Sequence, residues 1–209
     1  MPLLVSGAFC TMGKLQNKRI LFLGSSVTYG YSSNGISFVE YLEELEGIVP
    51  FKSAISGTTL VEKDKDSYVS RLKNIDKNSI FDMVIVQLST NDASMGLELG
   101  TYIDKDPKKT IGGAINYIID YVRYIFDCPV IFYTSPYFES DNYKDMVNLL
   151  EQISEHKKIN IINMYRDKEF NNISDEERKI YMMDNVHPTQ EGYLKWWTPY
   201  FIKELNKLI

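Results

Sequence analysis

The chain holds two histidines, and one of them stands where it could act as a base. His187 lies in Asp184-Asn185-Val186-His187-Pro188, a turn-like loop ahead of the last predicted helix. Asp184 precedes it with two residues between. One tight turn brings that carboxylate onto the ring Nδ1–H, which fixes the tautomer, frees Nε2 and stabilises the imidazolium. His156 falls on the polar end of a predicted helix and reads as solvent-exposed. A hydroxyl is a weak nucleophile until such a base takes its proton. The candidate hydroxyl is Ser26, which follows the apolar run 19–23 and the break Gly24-Ser25-Ser26. At the carboxyl end of a parallel strand, Oγ faces the crevice where ligands of open α/β sheets sit. A helix N-terminus close by favours developing negative charge. A tetrahedral intermediate also needs donors aimed at its oxyanion. Gly57 offers a backbone N–H, Asn91 a side-chain amide and Ser26 its own N–H. Each of these residues has a plainer role as a cap or a turn. In this order, each after its own strand, they form the equipment for nucleophilic acyl transfer.

The elements that must position them alternate. Residues 19–23, 51–55, 82–88, 130–133 and 160–163 read as strands. Residues 38–46, 67–74, 107–126, 143–156 and 189–209 read as helices from their apolar spacing and end signals. Strands alternating with helices predict a five-stranded parallel sheet in a three-layer α/β/α domain. The candidates then converge at one rim, because parallel strands all end on the same edge.

Composition limits the alternatives. The 209 residues are 44% hydrophobic and 24% charged, which suits one domain with a full core rather than a disordered chain. Net charge is −5 and basic residues are not clustered, so nucleic acid is not the expected partner. The chain has no apolar run long enough to span a membrane. Residues 1–17 read as an N-terminal arm packed on a domain of residues 18–209. Covering the site, or contacting a partner subunit in a homo-oligomer, are its alternatives. Cys10 and Cys128 stand in no metal-ligand spacing, and Cys128 reads as a small buried hydrophobe. With no basic segment at the start, this cysteine usage points to the cytoplasm.

The set of blocks resembles the SGNH/GDSL hydrolase superfamily from Lys18 onward. Gly24-Ser25-Ser26 matches its Gly-Asp-Ser block, and Val27-Thr28-Tyr29-Gly30 matches the tail of that block. Ser56-Gly57-Thr58-Thr59 matches the block that supplies an oxyanion glycine. Ser89-Thr90-Asn91-Asp92 matches Gly-x-Asn-Asp, and Asp184 to Pro188 matches Asp-x-x-His-Pro. Three positions depart from the pattern. Ser25 replaces an aspartate that is not the triad acid, Ser89 replaces a glycine, and Lys52 stands where the second block has a leading asparagine. The resemblance implies a flavodoxin-like fold, no metal, no organic cofactor, and hydrolysis of a small ester or thioester through Ser26, His187 and Asp184.

The substrate is less legible. Fifteen tyrosines and two tryptophans place Tyr29, Tyr31, Tyr133, Tyr137, Phe138, Trp196 and Trp197 near the rim or on the last helix. They could stack on a sugar, or pack in the core. No lid insertion is evident, which favours a short acyl group such as acetyl, on a carbohydrate or a similar polar alcohol. A catalytically idle carbohydrate- or ligand-binding relative, and a flavin- or phosphate-binding domain built on the Gly24 to Gly30 loop, are the competing classes.

Overall fold

The structure is a computed structural model and describes residues 13–208. The expectations for Cys10 and for residues 1–12 of the arm lie outside the described residues. The rest of the arm packs on the domain: Leu15 is fully buried, and the Asn17 N–H donates to the Gly47 carbonyl at 2.8 Å.

Five strands, β1 (Arg19–Gly24), β2 (Val49–Ala54), β3 (Met83–Gln87), β4 (Val130–Tyr133) and β5 (Asn160–Ile162), form one parallel sheet in the order β2-β1-β3-β4-β5. This is the doubly wound order of flavodoxin-like folds. The helices are α1 (Ser26–Tyr29), α2 (Phe38–Glu46), α3 (Tyr68–Lys73), α4 (Thr90–Ser94), α5 (Ile111–Ile125), α6 (Asp141–Lys157), α7 (Asp175–Tyr181), α8 (Gln190–Gly192) and α9 (Thr198–Leu208).

Side-chain alternation along the strands splits the core. Leu21, Leu23, Val84, Val86, Val130 and Phe132 pack with α3, α5 and α6. Ile20, Phe22, Met83, Ile85, Ile131 and Tyr133 pack with α2 and the C-terminal helices. Central strands covered on both faces need unbroken apolar runs, which is why β1, β3 and β4 are legible. Cys128 is buried in the first of these layers, as expected.

Departures from the expected elements have local causes. β2 starts two residues early and includes Pro50, which an edge strand tolerates because one side needs no donor. α5 begins at Ile111 rather than 107, where the Thr110 hydroxyl accepts from the Gly113 N–H at 3.0 Å. The last helix runs unbroken over 190–208 but is not uniform. A π-helical turn spans Tyr193–Trp197, with the Thr198 N–H on the Tyr193 carbonyl. Pro199 follows, and it can neither donate to nor fit against a regular turn. α7 escaped the periodicity because it buries no side chain; its signal is the capping box of Ser174 and Glu177.

Phe38 anchors the second layer. It is fully buried, stacks on Phe201 at 4.1 Å and meets Phe22, Tyr133 and Trp197 edge-on or tilted. Phe38→Ala should cost about 3–5 kcal/mol in urea unfolding. A loss under about 1 kcal/mol would mean that this cluster collapses freely around the gap.

Candidate active site

The loop after β1 is built around two small residues and one amide. A Cβ on Gly24 would lie 1.7 Å from Thr28 Oγ1, so glycine is required there. Gln87, at the end of β3, is fully buried. Its Oε1 accepts from the Ser25 N–H at 2.9 Å, the Thr28 N–H at 3.3 Å and the Thr28 hydroxyl at 2.9 Å. These bonds fix the chain direction at Ser26, the first residue of α1. From the other side the Tyr193 hydroxyl donates to the Val27 carbonyl at 2.7 Å. α1 ends at Gly30, whose φ of +87° suits glycine.

Ser26 Oγ lies 2.8 Å from His187 Nε2, and His187 Nδ1 lies 2.8 Å from Asp184 Oδ2. Asp184 Oδ1 accepts from the Val186 and His187 N–H groups at 2.7 and 2.8 Å, so the tight turn between acid and imidazole forms as expected. Burial pushes the Asp184 carboxyl up, but the His187 ring and the two backbone N–H groups together hold it below the usual carboxylate range. The Tyr31 ring packs against the imidazole, with centroids 5.3 Å apart. His156 is exposed, as expected.

The two remaining candidates meet through one carbonyl. Asn91 Nδ2 donates to the Thr58 oxygen at 2.8 Å, which sets the amide against the Gly57-Thr58 segment. That segment follows β2, whose last residue, Ala54, is in register with Gly24. Gly57 is exposed and has φ +80°; a Cβ there would meet nothing within 4 Å, so the backbone conformation alone calls for glycine. Asp92, beside Asn91, is buried, and its carboxylate accepts from the Leu60 and Val61 N–H groups at 2.8 and 3.1 Å. It pins the chain just beyond the Gly57 loop.

Two of the three unusual positions have satisfied surroundings, while the buried Ser25 hydroxyl has no hydrogen-bond partner among the described residues. Ser89 has φ −69° and ψ 126°, needs no glycine, and its hydroxyl caps α4 through the Asn91 N–H at 3.2 Å. Lys52 pairs with Glu40 and donates to the Gly35 carbonyl at 2.9 Å, tying β2 to the loop after α1. Ser25 is fully buried, with its N–H on Gln87.

Sequence reading missed Gln87 and Asp92 as supports. The signal for Gln87 was a lone polar side chain closing an apolar strand. Several expected stacking aromatics prove to be core. Tyr133 and Trp197 are fully buried and Trp196 is 8% exposed, stacked on Phe170. Phe138 is partly buried against the first layer. Tyr29, Tyr31 and Tyr137 remain exposed. A cavity of about 430 Å³ lies beyond the ends of β4 and β5, lined by Tyr137, Tyr165 and Asn171 among others; Ser26 and His187 do not line it. Among the described residues no group of three or more His, Cys, Asp or Glu side chains could hold a metal ion. No helix among them is long and apolar enough to cross a membrane.

An open parallel α/β sheet with Ser, His, Asp and Asn gathered at its carboxyl rim defines a class, and comparison with known proteins places the chain in it. The chain belongs to the GDSL-like lipase/acylhydrolase family, whose model matches residues 22–195. Solved structures share the fold at low identity. A protein from Lactobacillus plantarum is 20% identical with a TM-score of 0.74, covering 92% of this chain and 96% of that one. A member of the lipolytic G-D-S-L family from Veillonella parvula is 18% identical with a TM-score of 0.63, covering 91% and 96%. A variant of an acetyl-xylooligosaccharide esterase from Geobacillus stearmophilus is 17% identical with a TM-score of 0.65, covering 93% and 95%. No curated protein matches in sequence. The family supports a role as an ester hydrolase.

Asp92 generates a pH prediction. Burial raises its carboxyl from 3.8 to about 6, against the lowering pull of the Leu60 and Val61 N–H groups. The folded state therefore holds this proton more tightly than the unfolded chain does. The stability linked to it is present at low pH and is lost as pH rises from 3.8 through about 6. The unfolding free energy of wild type minus that of Asp92→Asn should decline across this interval; a flat difference would refute the assignment.

Proposed function

We propose that this protein is a serine esterase that removes acetyl or other short acyl groups through a covalent acyl-enzyme. The observation that carries this reading is the hydrogen-bonded series Ser26 Oγ, His187 Nε2, His187 Nδ1 and Asp184 Oδ2, with both links at 2.8 Å.

In this mechanism His187 Nε2 takes the Ser26 proton as Oγ attacks the ester carbonyl carbon. Asp184, held ionised by its three donors, stabilises the imidazolium. The carbonyl oxygen becomes an oxyanion within reach of the Ser26 and Gly57 N–H groups and the Asn91 amide. One Asn91 hydrogen stays on Thr58, and the other is the one offered to substrate. Collapse breaks the ester C–O bond, and the leaving alcohol takes the proton from His187. Water then gives a proton to His187 and attacks the acyl carbon. Ser26 departs with that proton, and the acid is released.

The acyl size and the alcohol are inferred from surroundings. Tyr31 crowds the imidazole and no lid insertion is evident among the described residues, which favours a small acyl group with its alcohol lying outside. The exposed Tyr29, Tyr31 and Tyr137 suit a sugar ring, and the fold neighbour that acts on acetylated xylooligosaccharides supports a carbohydrate.

Turnover of p-nitrophenyl acetate tests the reading. Ser26→Ala and His187→Ala should each lower kcat by more than about 10³-fold while remaining folded. Asn91→Ala should lower it about 10²–10³-fold, about 2.7–4 kcal/mol of transition-state stabilisation. Wild type and both triad variants turning over equally slowly, with no fluorophosphonate label on Ser26, would leave a binding protein on this scaffold as the reading. Along a p-nitrophenyl ester series, activity should fall as the acyl chain lengthens from acetyl. A steady rise would overturn the short-acyl assignment.

A further inference from the structure

Arg71, on α3, is a cation placed behind the proposed oxyanion loop. Its Nη2 donates to the Gly24 carbonyl at 2.7 Å, two residues before Ser26, and to the Thr58 hydroxyl at 3.4 Å. Its Nη1 donates to the Ser53 hydroxyl at 2.9 Å and to the Ser53 carbonyl. Its Nε donates to the Asp66 carbonyl at 2.8 Å. One planar fork thus joins the end of β1, the end of β2 and the residue after Gly57.

The guanidinium is half-buried and its hydrogen-bond and ring partners are all neutral: carbonyls, hydroxyls and the face of the Tyr68 ring at 5.2 Å; the Asp66 carboxylate acts on it only through space. Among the described residues no carboxylate lies within ion-pair distance of it. Where structure alone is wanted, a buried arginine is normally paired. An arginine left with dipoles keeps its positive potential for another charge. The charge that develops nearest this loop is the oxyanion on the acylated carbon of Ser26.

We propose that Arg71 is a positioning residue of the esterase reaction. It fixes the Gly57-Thr58 segment relative to Ser26 and sets a positive potential behind the tetrahedral oxyanion. This rests on the serine-esterase reading. It makes α3, which contributes no catalytic group, part of the transition-state environment.

The test compares wild type, Arg71→Gln and Arg71→Lys in three measurements: kcat and KM for p-nitrophenyl acetate, inhibition by phenylboronic acid, and thermal unfolding. Boronic acids add to a reactive serine as an anionic tetrahedral adduct, so their affinity reports on oxyanion stabilisation. In Arg71→Gln, kcat should fall about 10²-fold, with boronate affinity falling in parallel and KM staying within about 3-fold. Arg71→Lys keeps the charge without the fork and should lose about 3–10-fold in both, well short of the Arg71→Gln loss. Boronate affinity within about 3-fold of wild type in a folded Arg71→Gln would overturn the proposal, because a merely structural staple predicts lost stability without lost discrimination. Should Arg71→Gln not fold, Arg71→Lys decides: it should lose kcat and boronate affinity together, and a loss in melting temperature alone overturns the proposal. A wild type that neither hydrolyses the ester nor binds boronate overturns the esterase reading, and this inference with it. An active wild type beside an equally active Arg71→Gln overturns this inference alone.

Discussion

β1 is hydrogen-bonded in parallel on both sides, to β2 and to β3, and the site depends on that constraint. Three neighbouring strands pointing the same way must release their chains at one edge. The loops carrying Ser26, Gly57 and Asn91 therefore start within about 10 Å of each other before any side chain is chosen. Gln87 then converts proximity into geometry. One amide oxygen from β3 takes two backbone donors and a hydroxyl from the turn after β1, so neither strand end can shift without orphaning buried donors. The imidazole comes from outside this frame, on the turn before α8, and meets the hydroxyl only because the C-terminal helices lie on the second layer of the core.

How much of this was legible in the sequence follows from what each residue does physically. The central strands announce themselves because burial on both faces leaves no polar position. Ser26, Asp184 and His187 were readable because hydroxyl, carboxylate and imidazole are rare companions at strand ends, and their juxtaposition is what the folded chain displays. Gln87 was not, because a polar residue closing a strand looks like the first residue of a loop. Trp196 and Trp197 were open to two readings, since a periodic aromatic does not declare which side of the helix is covered. α7 was missed for the opposite reason: a helix with no buried face has no apolar period.

The three departures from the family blocks can be understood without loss of the site. Ser89 holds an ordinary extended conformation and gives its hydroxyl to a helix cap, so the side chain repays the lost glycine with a hydrogen bond. Lys52 ties its strand to the loop after α1 through the carbonyls of Tyr29 and Gly35. Ser25 keeps the backbone contact that matters, its N–H on Gln87.

The acid and base of the site hang on a lightly embedded part of the domain. α7 reaches the second core layer only through the partly buried Tyr181, and the turn from Asp184 to His187 is fastened at its ends by the bridge between Met182 and Pro188 and by the Thr189 N–H on the Tyr181 carbonyl. Ser26, in contrast, opens α1 directly beyond a strand sealed on both faces. The two halves of the hydroxyl–imidazole pair therefore stand on elements of unequal burial. Local opening of the 175–189 segment would part the base from the nucleophile without unfolding the sheet.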